Sequence, residues 1–467
     1  MATLLYFKHI GYTLLWMSVL IEIAAMSTTN FTDGGRGGKV LSIFQIVQFQ
    51  NGPCNTTGVQ SGTCYTQSEC DNRGGRGAGT CAGGFGVCCI INLACGGTSS
   101  ENCTYLVQSS TTATNEMTSC QYTICPCDKH ICRLRFDFES FNINGPVTGS
   151  AISDVTVSAA TELGGVIGDC TTDTFSITSP GNFAPPVICG FNTGQHMIVD
   201  ACAESCNEAI FDLAGSGTRQ WNIKVTQYAC GDENGGPDGC LQYFTGTTGT
   251  VSSYNFPTQA AVLDSSRKII LWRPNDILFN VIYFHITSHK PRPFLTATHL
   301  SSQTQTMCWR QEENTCAICW IPEILGSTSQ TGSFGLSISA GNNKARGEVD
   351  GKCRRDYLLI PDAQSDVDDP TTGTFNTFIV GTIGSMERLN DRLCGRFLTT
   401  ADDGGTRRES RSVCTQQRPF RMTFLSDEDE VTESDPPPVN SAQENELNRI
   451  PGGIVGFNLR WTLQTCP

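Results

Sequence analysis

Six histidines are the first place to look for chemistry: His9, His130, His196, His285, His289 and His299. None lies in an HExxH zinc helix, and no Gly-x-Ser-x-Gly elbow or Gly-Asp-Ser-Gly context supplies an activated serine. His285 and His289 are four residues apart. A helix would put both imidazoles on one face, but the β-branched, aromatic sequence around them favours a strand, which does the same. Two histidines without a third ligand do not make a zinc site. His196, in Asn192-Thr193-Gly194-Gln195-His196-Met197, reads as the start of a strand. Cys125-Pro126-Cys127 and Cys316-Ala317-Ile318-Cys319 have the spacing of redox motifs. In a disulfide-rich chain they read instead as members of separate structural bridges. No catalytic residue is assigned, and the chain reads as non-enzymatic.

What must position any site is a β-rich, cross-linked framework. The chain has 467 residues, 48 of them Gly, and only 16% are charged, a strand-and-turn composition long enough for two or three domains. Its net charge of −14 repels phosphate backbones, so nucleic acid is not an expected partner. Twenty-five cysteines call for an oxidising compartment. Lys8 and His9 precede the apolar run Ile10–Ile21, and the small Ala24 and Ala25 follow it. That run is shorter than the ~18–20 residues of a membrane span, so 1–26 reads as a signal peptide and no membrane span is expected. Sequons at Asn30, Asn55 and Asn102 agree with secretion. The odd cysteine count leaves at least one thiol without an internal partner, which points to a free thiol or a disulfide-linked dimer.

A linker, 27–50, leads to a module over 51–91 with six cysteines: Cys54, Cys64, Cys70, Cys81, Cys88 and Cys89. It is too small to bury a sufficient core, so three bridges are expected to hold it. Adjacent cysteines pair with each other only with difficulty, so Cys88 and Cys89 should each reach back to an earlier one. Then one ten-residue pattern occurs twice. Trp221–Cys230 reads WNIKVTQYAC and Phe457–Cys466 reads FNLRWTLQTC, each alternating apolar and polar side chains as a half-buried strand does. Before each copy comes C-x-x-D (Cys170 to Asp173, Cys353 to Asp356) and then Cys-Gly (Cys189, Cys394). The order predicts two copies of one β-domain, over 92–230 and 231–467. Two stretches stand apart. Residues 262–295, without cysteine, read as an insertion or as a genuine pair of strands. Residues 426–448 read as an acidic, proline-containing loop.

These motifs resemble CUB domains, extracellular jelly-roll β-sandwiches whose cysteines pair in sequence order. The six-cysteine module resembles the clip module, and the whole arrangement resembles a group of arthropod secreted proteins. The resemblance implies an all-β fold of two CUB-like sandwiches behind a disulfide-rich knot, with Cys170 paired to Cys189 and Cys353 to Cys394. It also implies calcium. Many CUB domains place a Glu five residues before the third cysteine, an Asp three after it, and an Asp in a later F-x-S-D segment. Glu348, Asp356 and Asp427 occupy those places in the second copy. The first copy has Asp173, but Gly165 at the Glu position and no F-x-S-D. The expected function is binding of an extracellular protein or glycan partner through loops. The alternatives are an inactive regulator or cofactor of a protease cascade and a structural cuticle or matrix component.

Overall fold

The computed structural model describes residues 48–56, 58, 60–108, 119–147, 168–215, 217, 219–256, 298–323, 333–336, 347–349, 353–365, 367–368, 375–376, 391–395, 397–400, 410–428 and 455–467. The signal peptide, almost all of the linker, Asn30, His285, His289, segment 262–295 and the acidic loop beyond residue 428 lie outside the described residues.

The N-terminal knot contains β1 (Pro53–Asn55), β2 (Ser61–Tyr65), β3 (Arg76–Cys81), β4 (Gly86–Leu93) and one short helix, α1 (Gln67–Asn72). Thr66 starts the helix: its hydroxyl accepts the Glu69 N–H while the Glu69 carboxylate accepts the Thr66 N–H. Its buried apolar cluster is only Tyr65, Cys70, Cys89 and Ile91. Disulfides Cys54–Cys88, Cys64–Cys81 and Cys70–Cys89 supply what so small a core does not. Each bridge of this span removes about 3 kcal/mol of unfolded-chain entropy in the loop-closure description. The knot is joined to the first sandwich through a shared sheet. β4 runs past residue 91 and pairs in parallel with β6 (Thr104–Val107).

The first sandwich continues that sheet through β12 (Gln220–Ala229), β8 (Ile131–Asn142) and β10 (His196–Asp200). The opposing sheet holds β5 (Thr98–Ser99), β7 (Ser119–Ile124), β11 (Asn207–Leu213) and β9 (Asp173–Ile177). The alternation in β8 does what period two requires: Leu134, Phe136 and Phe138 are buried, and the residues between them are partly exposed. They meet Phe141, Phe175, Phe211 and Trp221, with Phe211 stacked on the Trp221 indole at 4.1 Å. The Trp221 N–H donates to the Tyr122 hydroxyl at 2.9 Å, so this polar atom is satisfied inside the core. Truncating one of these rings to Ala costs about 3–5 kcal/mol.

The second sandwich has one sheet of β13 (Gln242–Phe244), β15 (Thr304–Trp309), β25 (Arg421–Leu425), β19 (Tyr357–Leu359), β23 (Arg392–Gly395) and β18 (Gly347–Val349), in that order. Facing it are β14 (Thr248–Ser252), β26 (Gly456–Thr465), β16 (Thr315–Pro322), β24 (Val413–Thr415) and β20 (Gln364–Ser365), with β17 (Phe334–Gly335) paired to β26. A separate hairpin joins β21 (Val367–Asp368) to β22 (Phe375–Asn376). The repeated pattern occupies equivalent places. β12 lies between β6 and β8, β26 lies between β14 and β16, and each closing strand is tied to its neighbour by its last cysteine, Cys132–Cys230 and Cys316–Cys466.

The two sandwiches are fused. Leu241, Tyr254 and Leu300 of the second belong to the buried cluster of the first. The Ile198 N–H donates to the Leu241 carbonyl at 2.7 Å, and the Tyr243 N–H donates to His196 Nε2 at 2.9 Å. His196 starts β10 and is fully enclosed. Burial, followed by the nearby Arg135 charge, pushes its pKa well below the usual histidine value.

Candidate functional site

The two C-x-x-D aspartates stand behind equivalent disulfides, Cys170–Cys189 and Cys353–Cys394. Their surroundings differ. Asp173 opens β9 with a side chain fully removed from solvent. Its two oxygens accept from Arg219 Nε and Nη2, each at 2.8 Å, and from the backbone N–H groups of Asn144 at 2.9 Å and Ala214 at 3.1 Å. Arg219 also donates to the Ala214 carbonyl at 2.7 Å. Burial works to raise the Asp173 pKa, but the guanidinium and the two N–H groups outweigh it and hold the carboxyl below its usual range. This aspartate is an internal lock with its counter-charge built in, and its donor set does not fit a metal ion.

Asp356 is also buried, just before β19. Its Oδ1 accepts the N–H of Asp427 at 3.0 Å, so the C-x-x-D loop and the segment after β25 are joined directly. The Asp427 carboxylate, partly exposed, faces Arg355 with Nε to Oδ2 at 3.6 Å. Its backbone carbonyl accepts the Ser302 N–H at 2.5 Å. Register places the third residue. Val349 and Leu358 both pair with Leu393, on the two sides of β23, and Glu348 pairs with Cys394. Tyr357 pairs with Leu425, so Glu348, Asp356 and Asp427 come to the same end of one sheet, within about a residue or two of one level. The backbone of Glu348 is defined; its side chain lies outside the described residues. Among the described residues, no three His, Cys, Asp or Glu side chains form a metal-holding group. The chemistry of the pair fits a hard cation nonetheless: carboxylate oxygens, one of them preorganised by a backbone N–H.

The remaining sequence candidates fall elsewhere. His299 is buried, with Nδ1 3.2 Å from the Leu300 carbonyl and Nε2 3.1 Å from the Leu336 carbonyl. Burial carries its pKa down to about 4 against the pull of those carbonyls. Cys316 and Cys319 belong to separate bridges, Cys316–Cys466 and Cys319–Cys414. The expectation that both cysteines of Cys125-Pro126-Cys127 would do the same is corrected: Cys125 bonds Cys206, but Cys127 is a free, exposed thiol. The strand pairing of Ile124 with Asn207 brings residue 125 to residue 206, whereas Cys127 is held by Gln227 Oε1, which accepts its N–H at 2.7 Å. Cys103 and Cys202 are also free.

The sequons part in the same way. Asn55 is exposed on β1, at the end of its sheet. The Asn102 amide is engaged with β12: its Oδ1 accepts from the Gln227 N–H at 2.9 Å and its Nδ2 faces the Gln227 carbonyl at 3.4 Å. An open pocket of about 670 Å³ lies between the sandwiches, lined in part by Arg133, Asp232, Asp238, Tyr243 and Arg310. Its arginines are paired, Arg133 with Asp200 and Asp238 and Arg310 with Glu312, and it does not include the Asp356–Asp427 pair.

Among the described residues, no helix is long and apolar enough to cross a membrane. Residues 237–464, the second sandwich, match the family model of the animal CUB domain. Among solved structures the chain is similar to the CUB1-EGF-CUB2 domains of rat MASP-1, with 11% identity, a TM-score of 0.20, and coverage of 80% of this chain and 99% of that one. It is similar also to the CUB1-EGF-CUB2 domain of human MASP-1/3, with 12% identity, a TM-score of 0.19, and coverage of 77% and 98%. No curated protein matches the sequence. The fold is all-β, with CUB-like sandwiches behind a disulfide-rich knot.

Proposed function

We propose that this chain is a secreted, non-enzymatic binding protein that engages an extracellular protein or glycan partner through loops of the second sandwich, in a calcium-dependent way. The observation that carries the reading is the direct contact between Asp356 and the Asp427 backbone at the end of β19 and β25. Glu348, Asp356 and Asp427 are the residues that would hold the ion. Bound there, calcium supplies the positive charge that offsets their mutual repulsion. The chain's own part is to present the carboxylates: the Cys353–Cys394 bridge fixes the start of the Asp356 loop, and the Ser302 N–H fixes Asp427. A carboxylate so placed recognises a Lys or Arg of a protein partner by a charge-assisted hydrogen bond.

The test is thermal unfolding of the purified chain with millimolar calcium and with chelator. Saturating calcium is expected to raise Tm, by about 2.7 kcal/mol of stability at a hundred times Kd. The rise should vanish in Asp356→Ala and Asp427→Ala. An unchanged Tm in the wild type ends the calcium reading. Cys127, as the exposed thiol, is the residue through which two copies would be joined covalently. Non-reducing electrophoresis should then show a dimer band that Cys127→Ser removes.

A further inference from the structure

The seam between the sandwiches is closed at one point by a side chain where a backbone group would ordinarily serve. β13 runs beside β10, and the Ile198 N–H donates to the Leu241 carbonyl at 2.7 Å. Two residues along each chain, the Tyr243 N–H donates to His196 Nε2 at 2.9 Å instead of to a carbonyl. A backbone N–H can only donate, so this nitrogen accepts and the ring carries its proton on Nδ1. The bond therefore exists only while the imidazole is neutral. The Tyr243 carbonyl is also held by a side chain, accepting from Arg135 Nη1 at 3.2 Å. The His196 carbonyl accepts from Gln242 Nε2 at 3.0 Å and from the Tyr254 hydroxyl at 2.9 Å, and its ring meets Phe244 edge-on at 5.1 Å. One residue of the first sandwich thus gathers four of the second.

The charges facing the ring come from β8 and from β12 beyond it. Burial first, and then Arg135, keep the imidazole neutral. Asp137 is the register partner of His196, but Arg135 Nε already donates to it at 2.8 Å, and Lys224 of β12 pairs with it on its other side. Glu139 accepts from the Asn222 amide at 3.0 Å, and on β10 itself Asp200 is paired with Arg133. β13 has Tyr243 as its one titratable side chain, and the nearby β14 and β15 have no acid or base. An imidazolium here would stand beside a guanidinium, with the nearest carboxylate already shared.

We infer that His196 is an acid-sensitive latch of the seam: a proton taken up by its imidazole removes the acceptor of the Tyr243 N–H and releases β13 from β10. Other fasteners between the sandwiches, Gln303 to the Val187 carbonyl and Ser301 to Asp169, involve neither His196 nor β13. The release is accordingly a local parting of two strands, and both sandwiches stay folded. Tyr243 also lines the open pocket together with Arg133 and Arg310, so the same step reshapes that pocket. Once released, the ring sits in water with the ordinary histidine pKa of about 6.5, and opening takes up one proton below that pH. The released fraction then rises by about tenfold for each further pH unit, until the enclosed ring titrates as well. The latch is independent of the calcium reading.

Amide hydrogen exchange of the full chain, corrected for the intrinsic exchange rate at each pH, reads the release directly. Protection of the Ile198 and Tyr243 amides is expected to fall about tenfold between about pH 7.5 and about pH 5.5. Amides in the pairing of β8 with β12 should keep theirs. His196→Gln supplies an amide oxygen that can accept the same N–H and does not titrate, so its protection should stay level over this range. The wild type decides on its own should that variant not fold. No fall at Ile198 and Tyr243, or an equal fall in the β8–β12 pairing, overturns the latch. A fall that persists in folded His196→Gln assigns the pH dependence to another group and overturns it too.

Discussion

Asp173 and Asp356 stand three residues after equivalent cysteines in the two halves of the chain, and their surroundings differ. In the first sandwich a guanidinium seals the carboxylate from within, with four donors filling its two oxygens. In the second, the neighbouring arginine, Arg355, lies half-exposed and reaches the other aspartate, Asp427, at 3.6 Å. The position of an acid in a motif therefore says less about its role than the position of the nearest base. An enclosed Arg makes an aspartate structural. On the reading proposed above, an Arg at the rim leaves the Asp427 carboxylate able to exchange it for another cation.

The sharpest way to break this contrast is to remove the enclosed guanidinium. Arg219→Met leaves Asp173 as an uncompensated buried charge, and breaking such a pair costs about 3–5 kcal/mol. Chemical denaturation at neutral pH should show the loss. The sign with pH is set by the depressed carboxyl. Its contribution is complete above the ordinary aspartate pKa and is lost as pH falls through the lower folded value. In the variant that acid limb should move to higher pH. A midpoint within experimental error of the wild type would mean that the pair is not a lock.

The buried histidines extend the comparison to the seam between the halves. Both are held neutral by burial, His299 with a pKa of about 4. The unfolded chain takes up these protons first, so stability is full above about 6.5 and falls as pH drops toward the folded values. For His299 alone the loss by pH 5 is on the order of 2 kcal/mol. Unfolding free energies at pH 7 and pH 5 should differ by at least that much, since His196 adds to it, and His299→Gln should narrow the gap. A gap unchanged in the variant would assign the pH dependence to other groups.

Calorimetry with calcium sharpens the contrast between the aspartates themselves. Heat of binding should survive Asp173→Asn, in whatever fraction remains folded, and disappear in Asp356→Asn. The reverse result would exchange the two roles.

Much of this arrangement was legible from residue types, and the reason is local. Alternation is a property of neighbours, so Leu134, Phe136 and Phe138 announced a half-buried strand, and the paired closing segments announced two like sheets. The family resemblance likewise brought Glu348, Asp356 and Asp427 forward together. What could not be read depends on partners far apart in sequence. Nothing about Arg219 marks it as the counter-ion of a residue 46 positions earlier. Cys127 looks like Cys125 until strand pairing brings only one of them to Cys206. The Asn102 sequon looks like that at Asn55 until the amide is found against Gln227, 125 residues on. Fusion of the knot to the first sandwich leaves no mark in the sequence, because a parallel pairing, β4 with β6, has no turn signal between its strands.

The smallest effect expected is at Arg355, and it probes the second half most finely. Arg355→Met removes a partly exposed ion pair, which is worth at most about 1 kcal/mol, so stability should hardly change. On the proposed reading, calcium and the guanidinium would compete for the same Asp427 carboxylate. Removing the guanidinium should therefore tighten calcium binding, by up to about fivefold if the pair contributes its full 1 kcal/mol. Titration of wild type and variant at two ionic strengths separates the causes. A competition through contact persists at higher salt, whereas a general gain of negative potential is screened away beyond about 10 Å. Weaker calcium binding in the variant would mean that Arg355 positions Asp427 for the ion instead of competing with it, and the rim arginine would then be working as Arg219 does within the first sandwich.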